Sequence, residues 1–285
     1  MRRRSEAPRH LVGLIGSGIQ ASRTPALHEK EAAAHAIQLS YQLIDLDRID
    51  GGAAALPRIL DSAELLGFTG CNITHPCKQS VIEHLDELSD DAEAIGAVNT
   101  VIFEDGARIG YNTDWWGFAE NFQRGLIGAS MKSAVQIGAG GAGAAIAYAL
   151  LKLGIERLAL NDMAECRATT LGARLAKRFG DGRAVAVDDV EQAIAEADGL
   201  INTTPVGMLG HPGLPVPAAT LRADLWVAEI VYFPLETELL RSARAAGCRT
   251  LDGGGMAVFQ AVKAFELFTG RAADPDRMMR HFAAM

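Results

Sequence analysis

A run of glycine and alanine, GAGGAG at residues 138–143, limits the folds open to this chain more than any other segment. The apolar stretch SAVQI precedes it and an alanine-rich stretch follows, which predicts a strand, a tight turn and a helix. Gly138, Gly140 and Gly143 match the spacing G-x-G-x-x-G, in which the glycines permit the turn, the approach of a phosphate and close helix packing, respectively. Because amides at a helix start face phosphate oxygens, the run predicts a dinucleotide site. Tight packing without a ligand is the alternative.

The residue that follows the next predicted strand bears on the choice of dinucleotide. Asp162 lies about 20 residues after the last glycine, where an acid binds the hydroxyls of the adenosine ribose. A 2′-phosphate would meet like charge there, so the sequence favours NAD over NADP. Arg167 is near enough in sequence to reach a 2′-phosphate and Asn161 is neutral, which keeps NADP open. A helix-capping role is the alternative for Asp162.

Short apolar runs alternate with helical patterns along both halves of the chain, which is typical of an α/β protein. In the first half we predict strands at 11–15, 40–46 and 68–73, helices at 25–39, 53–66 and 78–88, and a hairpin around Asp105-Gly106. In the second half a doubly wound pattern continues to about residue 231, and helices follow at 235–247 and 255–268. We therefore predict two domains: a mostly parallel α/β substrate domain (1–116 plus 254–285) and a Rossmann domain that binds NAD (117–253).

Composition excludes several classes of protein. A net charge of −8 argues against binding to nucleic acid, which needs a basic surface. No apolar run approaches the roughly 20 residues that span a bilayer, and we interpret the basic start, MRRR, as a frayed tail, not a signal peptide. The four cysteines form no C-x-x-C, which favours a reducing cytoplasm, and no histidine spacing suggests a metal.

Two charged residues are candidates for proton transfer beside a bound nicotinamide. Lys78, in CNITHPCKQS, comes after a predicted buried strand, and Asp114, in GYNTDWWGF, comes after the predicted hairpin. An ammonium and a carboxylate can pass a proton as a coupled pair, and the ammonium can stabilise a developing alkoxide. From residue type alone, a solvated lysine and a helix-capping aspartate remain the alternatives.

An ordered set of motifs resembles the shikimate dehydrogenase family, and most closely its quinate/shikimate branch. The resemblance runs from about Val12 to Phe282 and rests on SRTPALHE, NITHPCKQ, GAVNT, NTDWWGF, GAGGAG, NTTPVGM and DGGGMAVFQA. It implies a substrate cleft between an N-terminal domain and a Rossmann domain, with C-terminal helices that return to the first domain. It also implies reversible, NAD-dependent oxidation of shikimate, quinate or both to the 3-dehydro ketone.

The resemblance assigns roles to individual residues. Lys78 and Asp114 are implied as the catalytic pair. Substrate binding is implied for Ser22, Thr24 and Tyr232 at the carboxylate, for Asn72, Thr74 and Asn99 at the ring hydroxyls, and for Gln260. Cofactor binding is implied for Gly138, Ala139, Gly140, Gly141, Ala142, Gly143, Asn161, Asp162, Arg167, Thr203, Ile230, Gly253 and Met256. For Thr24, a helix N-cap followed by Pro25 at the first helical position is the alternative.

Departures from the family pattern keep other functions open. Biosynthetic members usually carry serine at the position of Thr24 and tend to carry arginine at that of Asp162, so both residues favour the NAD-linked branch. Cys77 replaces the aromatic residue that usually precedes the lysine. This leaves a smaller wall beside Lys78, so the substituent on the ring of the substrate stays open. The alternatives are an NADP-dependent biosynthetic enzyme, an aminoshikimate-type dehydrogenase, a dinucleotide-sensing regulator and a methylene-folate dehydrogenase. We expect a cytoplasmic monomer or homodimer.

Overall fold

A computed structural model describes residues 9–285, and the basic segment expected to be a frayed tail lies outside this range. The chain divides into two units. The first ends at Thr113 and also contains Gln260–Met285, whereas the second comprises Asp114–Phe259. The functional domains at 1–116 plus 254–285 and at 117–253 stay a prediction. No helix within the described range is both long and apolar enough to cross a membrane.

The first unit is built on a six-stranded mixed sheet. Its strands are β1 (Arg9–Gly16), β2 (Gln38–Asp45), β3 (Gly70–Ile73), β4 (Glu87–Leu88), β5 (Thr100–Glu104) and β6 (Ala107–Tyr111), in the order β2-β1-β3-β5-β6-β4. β1 runs parallel to β2 and β3, while β5 runs antiparallel to β3 and β6. The hairpin predicted at Asp105-Gly106 is confirmed, and both residues have the positive φ, 50° and 79°, that a tight two-residue turn requires.

Helices cover both faces of this sheet. They are α1 (Thr24–Ala34), α2 (Leu56–Leu65) and α3 (Asp90–Ile95), and 3-10 turns occur at Leu46–Arg48, Gly52–Ala55 and Ser80–His84. On one face Leu60 of α2 packs with Ile15 and Ile73. On the other face Val12 packs with Phe268 of a long C-terminal helix, so the end of the chain completes the core of this unit.

One helix prediction in the first unit is wrong, and a second extends too far. Residues 78–88 form a 3-10 turn and the short strand β4, because the amides of Asp86 and Ser89 donate to carbonyls of the neighbouring β6 (2.9 Å each). The helix predicted at 25–39 ends at Ala34, since Ala36 adopts a left-handed φ of 54° and the chain turns into β2. Short α3 was not predicted.

The second unit contains a six-stranded parallel sheet. Its strands are β7 (Ser133–Ile137), β8 (Arg157–Asn161), β9 (Ala184–Ala186), β10 (Gly199–Asn202), β11 (Trp226–Glu229) and β12 (Arg249–Leu251), in the order β12-β11-β10-β7-β8-β9. All neighbouring strands are parallel. This order is that of the Rossmann fold, which confirms the predicted fold class.

The remaining helices begin in or belong to this second unit, apart from the last. They are α4 (Asp114–Gly125), α5 (Gly141–Leu153), α6 (Glu165–Phe179), α7 (Val190–Ala195), α8 (Glu238–Ala245), α9 (Gly254–Thr269) and α10 (Pro275–Ala283), with a 3-10 turn at Ala218–Thr220. Helix α9 begins in the second unit and continues into the first, where α10 also lies. Strand β12 and helix α10 were not predicted, although Met278 and Phe282 of α10 are buried at helical spacing.

Candidate active site

The glycine turn lies between β7 and α5, at the carboxyl edge of the parallel sheet. Gly138 has a φ of 102°, and a Cβ on it would lie 2.7 Å from the hydroxyl of Thr203. A Cβ on Gly143 would overlap the carbonyl oxygen of Gly138. A Cβ on Gly140 would meet nothing within 4 Å, so the backbone there borders open space. This free approach to the start of α5 fits a pyrophosphate, which the unpaired amides of a first helical turn would bind.

Asp162 is fixed beside this turn. Its Oδ2 accepts a hydrogen bond from the amide of Ala139 (2.8 Å), and its Oδ1 accepts one from the amide of Ala164 (2.9 Å). The N-cap of α6 is Ala164, so Asp162 does not cap that helix and the capping alternative is wrong. Arg167 Nη1 lies 3.8 Å from Asp162 Oδ1, on a mostly exposed side chain. A carboxylate and a guanidinium thus stand together where the predicted ribose would bind.

Other residues of the predicted cofactor site lie at the same carboxyl edge of the sheet. The Thr203 hydroxyl donates to the carbonyl of Gly138 (2.8 Å), and its amide donates to that of Ile137 (2.8 Å). A Cβ on Gly253 would meet the carbonyl oxygen of Ile230 at 2.5 Å. The remaining members of the set lie in or near this edge: Gly141 and Ala142 in the first turn of α5, Asn161 at the end of β8 and buried Met256 in the first turn of α9.

In the first unit, Ser22 and Thr24 lie at the start of α1. The Ser22 hydroxyl accepts a hydrogen bond from the Thr24 amide (3.3 Å). Helix α1 begins at Thr24, and its N-cap is Arg23 without a capping side chain, so the N-cap alternative for Thr24 is wrong. Two hydroxyls beside a helix N-terminus suit a carboxylate ligand.

Thr74, Lys78 and Asn99 are brought together beyond the carboxyl ends of β1 and β3. The amide of Thr74 donates to Ile15 at the end of β1 (2.9 Å), and the amide of Val98 donates to the carbonyl of Lys78 (2.8 Å). Asn99 comes next in sequence, and its carbonyl accepts from Ile73 (2.8 Å). Backbone hydrogen bonds therefore hold the main chain of these three predicted site residues within one small region.

Asn72 is a buried member of a polar network. Its Nδ2 donates to Thr100 Oγ1 (3.0 Å) and to the carbonyl of Asn99 (3.2 Å), while its Oδ1 accepts from the Tyr41 hydroxyl (2.7 Å). Asn99 in turn binds Thr113, whose amide donates to its Oδ1 (2.7 Å). These bonds connect Asn72 to Asn99 and Thr100, and its predicted contact with a ring hydroxyl stays a prediction. Tyr41, Thr100 and Thr113 were not predicted, although a polar residue within an apolar strand is a signal for such a network.

The other predicted site residues are distributed between the units. Asp114 is buried at the first position of α4, and Tyr232 is 42% exposed in the loop after β11; both belong to the second unit. Gln260 lies in α9 and belongs to the first unit.

Comparison with known proteins identifies the family. Residues 14–101 match the model of the shikimate dehydrogenase substrate binding domain, and residues 253–281 match that of the shikimate 5'-dehydrogenase C-terminal domain. A shikimate dehydrogenase (NADP(+)) of Streptomyces avermitilis is 56% identical, over 97% of this chain and 96% of that protein. The chain belongs to the shikimate dehydrogenase family. The resemblance stated from its motifs is thus confirmed.

Two further members of the family carry names that include NAD. A quinate/shikimate dehydrogenase (NAD(+)) of Corynebacterium efficiens is 48% identical, over 96% of this chain and 98% of that protein. A solved structure of quinate dehydrogenase from Corynebacterium glutamicum in complex with NAD matches with a TM-score of 0.91 and 46% identity, over 98% of this chain and 100% of that one. Family members close to this chain therefore differ in the dinucleotide that their names state, and the predicted preference for NAD stays a prediction.

Proposed function

We propose that the chain is a dehydrogenase that oxidises shikimate, quinate or both to the 3-dehydro ketone, with a nicotinamide dinucleotide as hydride acceptor. The glycine turn is the observation that best supports the use of a dinucleotide. There the backbone at Gly140 is accessible to a phosphate, and Asp162 is hydrogen-bonded to the amide of Ala139 (2.8 Å). The substrate class follows from family membership and from the names of the relatives.

In this proposal the chain's own residues bind the acid and move one proton. A nicotinamide dinucleotide held at the glycine turn, Gly138 to Gly143, would supply the acceptor for the hydride on the carbon that bears the alcohol. Lys78 and Asp114 act as one coupled pair that takes up the hydroxyl proton in oxidation and returns it in reduction, and the protonated form of Lys78 stabilises the developing alkoxide. Ser22 and Thr24 bind the carboxylate, with Tyr232.

Ring hydroxyls are bound by neutral side chains in the same proposal. Asn72, Thr74 and Asn99 donate and accept at the ring, and Gln260 adds a further contact. Asn72 is also bonded to the carbonyl of Asn99.

Replacement of Lys78 tests the catalytic assignment. We expect Lys78→Ala to lower kcat by at least about a hundredfold with a much smaller rise in KM, because an interaction made mainly in the transition state appears in kcat. Steady-state kinetics with shikimate measures both constants. Lys30→Ala, which removes an exposed lysine on α1, is the control and should leave both unchanged. Near-normal turnover of Lys78→Ala would show that the assignment is wrong.

The cofactor preference is proposed from Asp162, which favours NAD. The test is a kinetic matrix of shikimate and quinate, each with NAD and with NADP. We expect a higher kcat/KM with NAD, and we expect Asp162→Ser to reduce the ratio of NAD to NADP by about tenfold or more, since like charge no longer repels the 2′-phosphate. A wild-type preference for NADP would contradict the proposal and favour Arg167 as the phosphate-binding residue. Tight NAD binding without turnover of either acid would instead favour a dinucleotide-sensing regulator.

A further inference from the structure

A buried carboxylate that the sequence did not single out lies at the carboxyl edge of the second sheet. Glu229 is the last residue of β11 and is 2% exposed. In the sheet register it lies opposite Asn202, the last residue of β10, which in turn lies opposite Ile137, just before the glycine turn. A charged group in such a place is costly unless hydrogen bonds compensate for the lost water.

Four hydrogen bonds reach this carboxylate from neutral donors. Oε1 accepts from the amide of Val231 (3.0 Å) and from Asn202 Nδ2 (3.0 Å). Oε2 accepts from the Thr237 hydroxyl (3.2 Å) and again from Asn202 Nδ2 (3.1 Å). Burial raises the pKa of Glu229 to about 7, and these hydrogen bonds oppose that rise. Because every partner donates, the arrangement suits the ionised form.

The network extends from Glu229 into two loops. Asn202 Nδ2 also donates to the carbonyl of Val206 (2.9 Å), and its Oδ1 accepts from the amide and the hydroxyl of Thr204 (3.0 and 2.7 Å). Thr237 is the N-cap of α8 and accepts from Leu240 (3.3 Å). One carboxylate thus joins the loop at 203–207, after β10, to the loop at 230–237, after β11.

The topology of the sheet indicates which half of a dinucleotide these loops would meet. Asp162 follows β8, on one side of the glycine turn, where the adenosine ribose is proposed to bind. In a Rossmann sheet the second mononucleotide lies across the switch point, over the strands on the other side. Those strands are β10 and β11, since the order is β11-β10-β7-β8.

We propose that Glu229 is a positioning residue for the nicotinamide half of the dinucleotide, because its carboxylate fixes the loops at 203–207 and 230–237 in one arrangement. The inference rests on the proposed function. In this proposal Glu229 does not itself contact the cofactor. It acts only on the nicotinamide half, whereas the glycine turn and Asp162 are proposed to bind the pyrophosphate and the adenosine.

Titration calorimetry with NAD and with ADP-ribose, which lacks the nicotinamide, tests this assignment. In Glu229→Gln an NH2 group at either oxygen position would face the Asn202 donor. We expect this variant to bind NAD about tenfold more weakly than wild type and ADP-ribose with unchanged Kd, since the glycine turn stays intact. Thr237→Val removes one donor to the carboxylate and should weaken NAD binding in the same selective way, even if Glu229→Gln fails to fold.

The control is an acid at the opposite edge of the same sheet. Asp198, the residue before β10, accepts from the amide of Ser133, the first residue of β7 (2.9 Å), so Asp198→Asn should lower the Tm without changing the Kd of either ligand. Wild-type NAD affinity in Thr237→Val, or in folded Glu229→Gln, would overturn the inference, and so would an equal loss of affinity for both ligands. A wild-type protein that binds neither ligand would instead overturn the proposed function itself.

Discussion

Among single residues, His28 of α1 is a fully buried polar side chain in aromatic surroundings. Its ring centroid lies 5.0 Å from that of Tyr41, 5.8 Å from Phe268 and 6.1 Å from Phe265. Within residues 9–285 neither of its ring nitrogens has a hydrogen-bond partner. Burial lowers the pKa of His28 from 6.5 to about 3, although the nearby Glu31 carboxylate favours the charged form. The imidazole is therefore neutral in the folded protein at any ordinary pH.

We predict that His28 makes the protein sensitive to mild acid. Between pH 6.5 and 3 the unfolded chain binds a proton at this histidine and the folded chain does not, so the free energy of unfolding falls as the pH falls. From pH 7 to pH 5 the loss due to His28 should be about 2 kcal/mol. Urea denaturation at both pH values should show that His28→Leu removes this part of the loss. The same change at exposed His211 is the control, and equal pH dependence of His28→Leu and wild type would contradict the prediction.

Individual residues differ in how far their surroundings can be foreseen from the sequence. Asp162 was singled out by its distance from the last glycine, and its position beside the turn follows from the alternation of strands and helices. Glu229 could not be singled out in this way, because its partners Asn202 and Thr237 come from other elements and give no local pattern. Asn72 carries the right chemistry for a ligand, but only the fold shows that its amide is bonded to its neighbours.

Among the elements, the turn between β7 and α5 places the three glycines of the G-x-G-x-x-G spacing in different surroundings. Gly138 has a left-handed backbone, Gly143 is in contact with the backbone of the turn, and Gly140 has an ordinary φ of −75° and open space around it. Folding therefore constrains the first and third positions, whereas the second is free within the protein itself. Because folding does not require glycine at position 140, we expect that the absence of a side chain there serves the approach of a ligand.

We predict that Gly140→Ala and Gly143→Ala separate stability from dinucleotide binding. Gly140→Ala should keep the Tm of wild type but raise the Kd for NAD by at least about tenfold, because the methyl group would stand where the pyrophosphate approaches. Gly143→Ala should lower the Tm, since its methyl group would overlap the carbonyl of Gly138. Calorimetry gives the Kd and thermal unfolding gives the Tm. Unchanged NAD affinity in Gly140→Ala would count against a phosphate site at this turn.

The elements that the sequence failed to predict share a physical cause. Residues 78–88 have a helical composition, but their backbone completes the edge of the first sheet through β6, and a long-range pairing of this kind leaves no local signal. Short elements such as β12 are defined by their neighbours for the same reason. By contrast, β7, α5 and β8 were predicted correctly because continuous apolar runs and a glycine turn specify them locally.

At the scale of the whole molecule, an ion pair joins the start and the end of the chain within the first unit. Glu31 of α1, with a side chain 1% exposed, accepts from Arg277 Nε (2.8 Å) and Nη2 (2.6 Å) of α10. The amide of Asp274 also donates to Glu31 (2.8 Å). Beside this pair, Phe265 of α9 packs against Ala32 and Ile37. The first unit therefore depends on residues that are among the last of the chain.

We predict an unusual order of stability among variants of this pair. Arg277→Leu should lower the free energy of unfolding by about 3 kcal/mol or more, because it leaves a buried carboxylate without its cation. The double variant Glu31→Leu/Arg277→Leu should be more stable than Arg277→Leu alone, since the second change removes the unpaired charge. Urea denaturation of the wild type, both single variants and the double variant measures the coupling. Arg280→Leu, at an exposed arginine of the same helix, is the control and should change stability little. Additive losses in the double variant would mean that α1 and α10 are joined by apolar packing, with no measurable part for the ion pair.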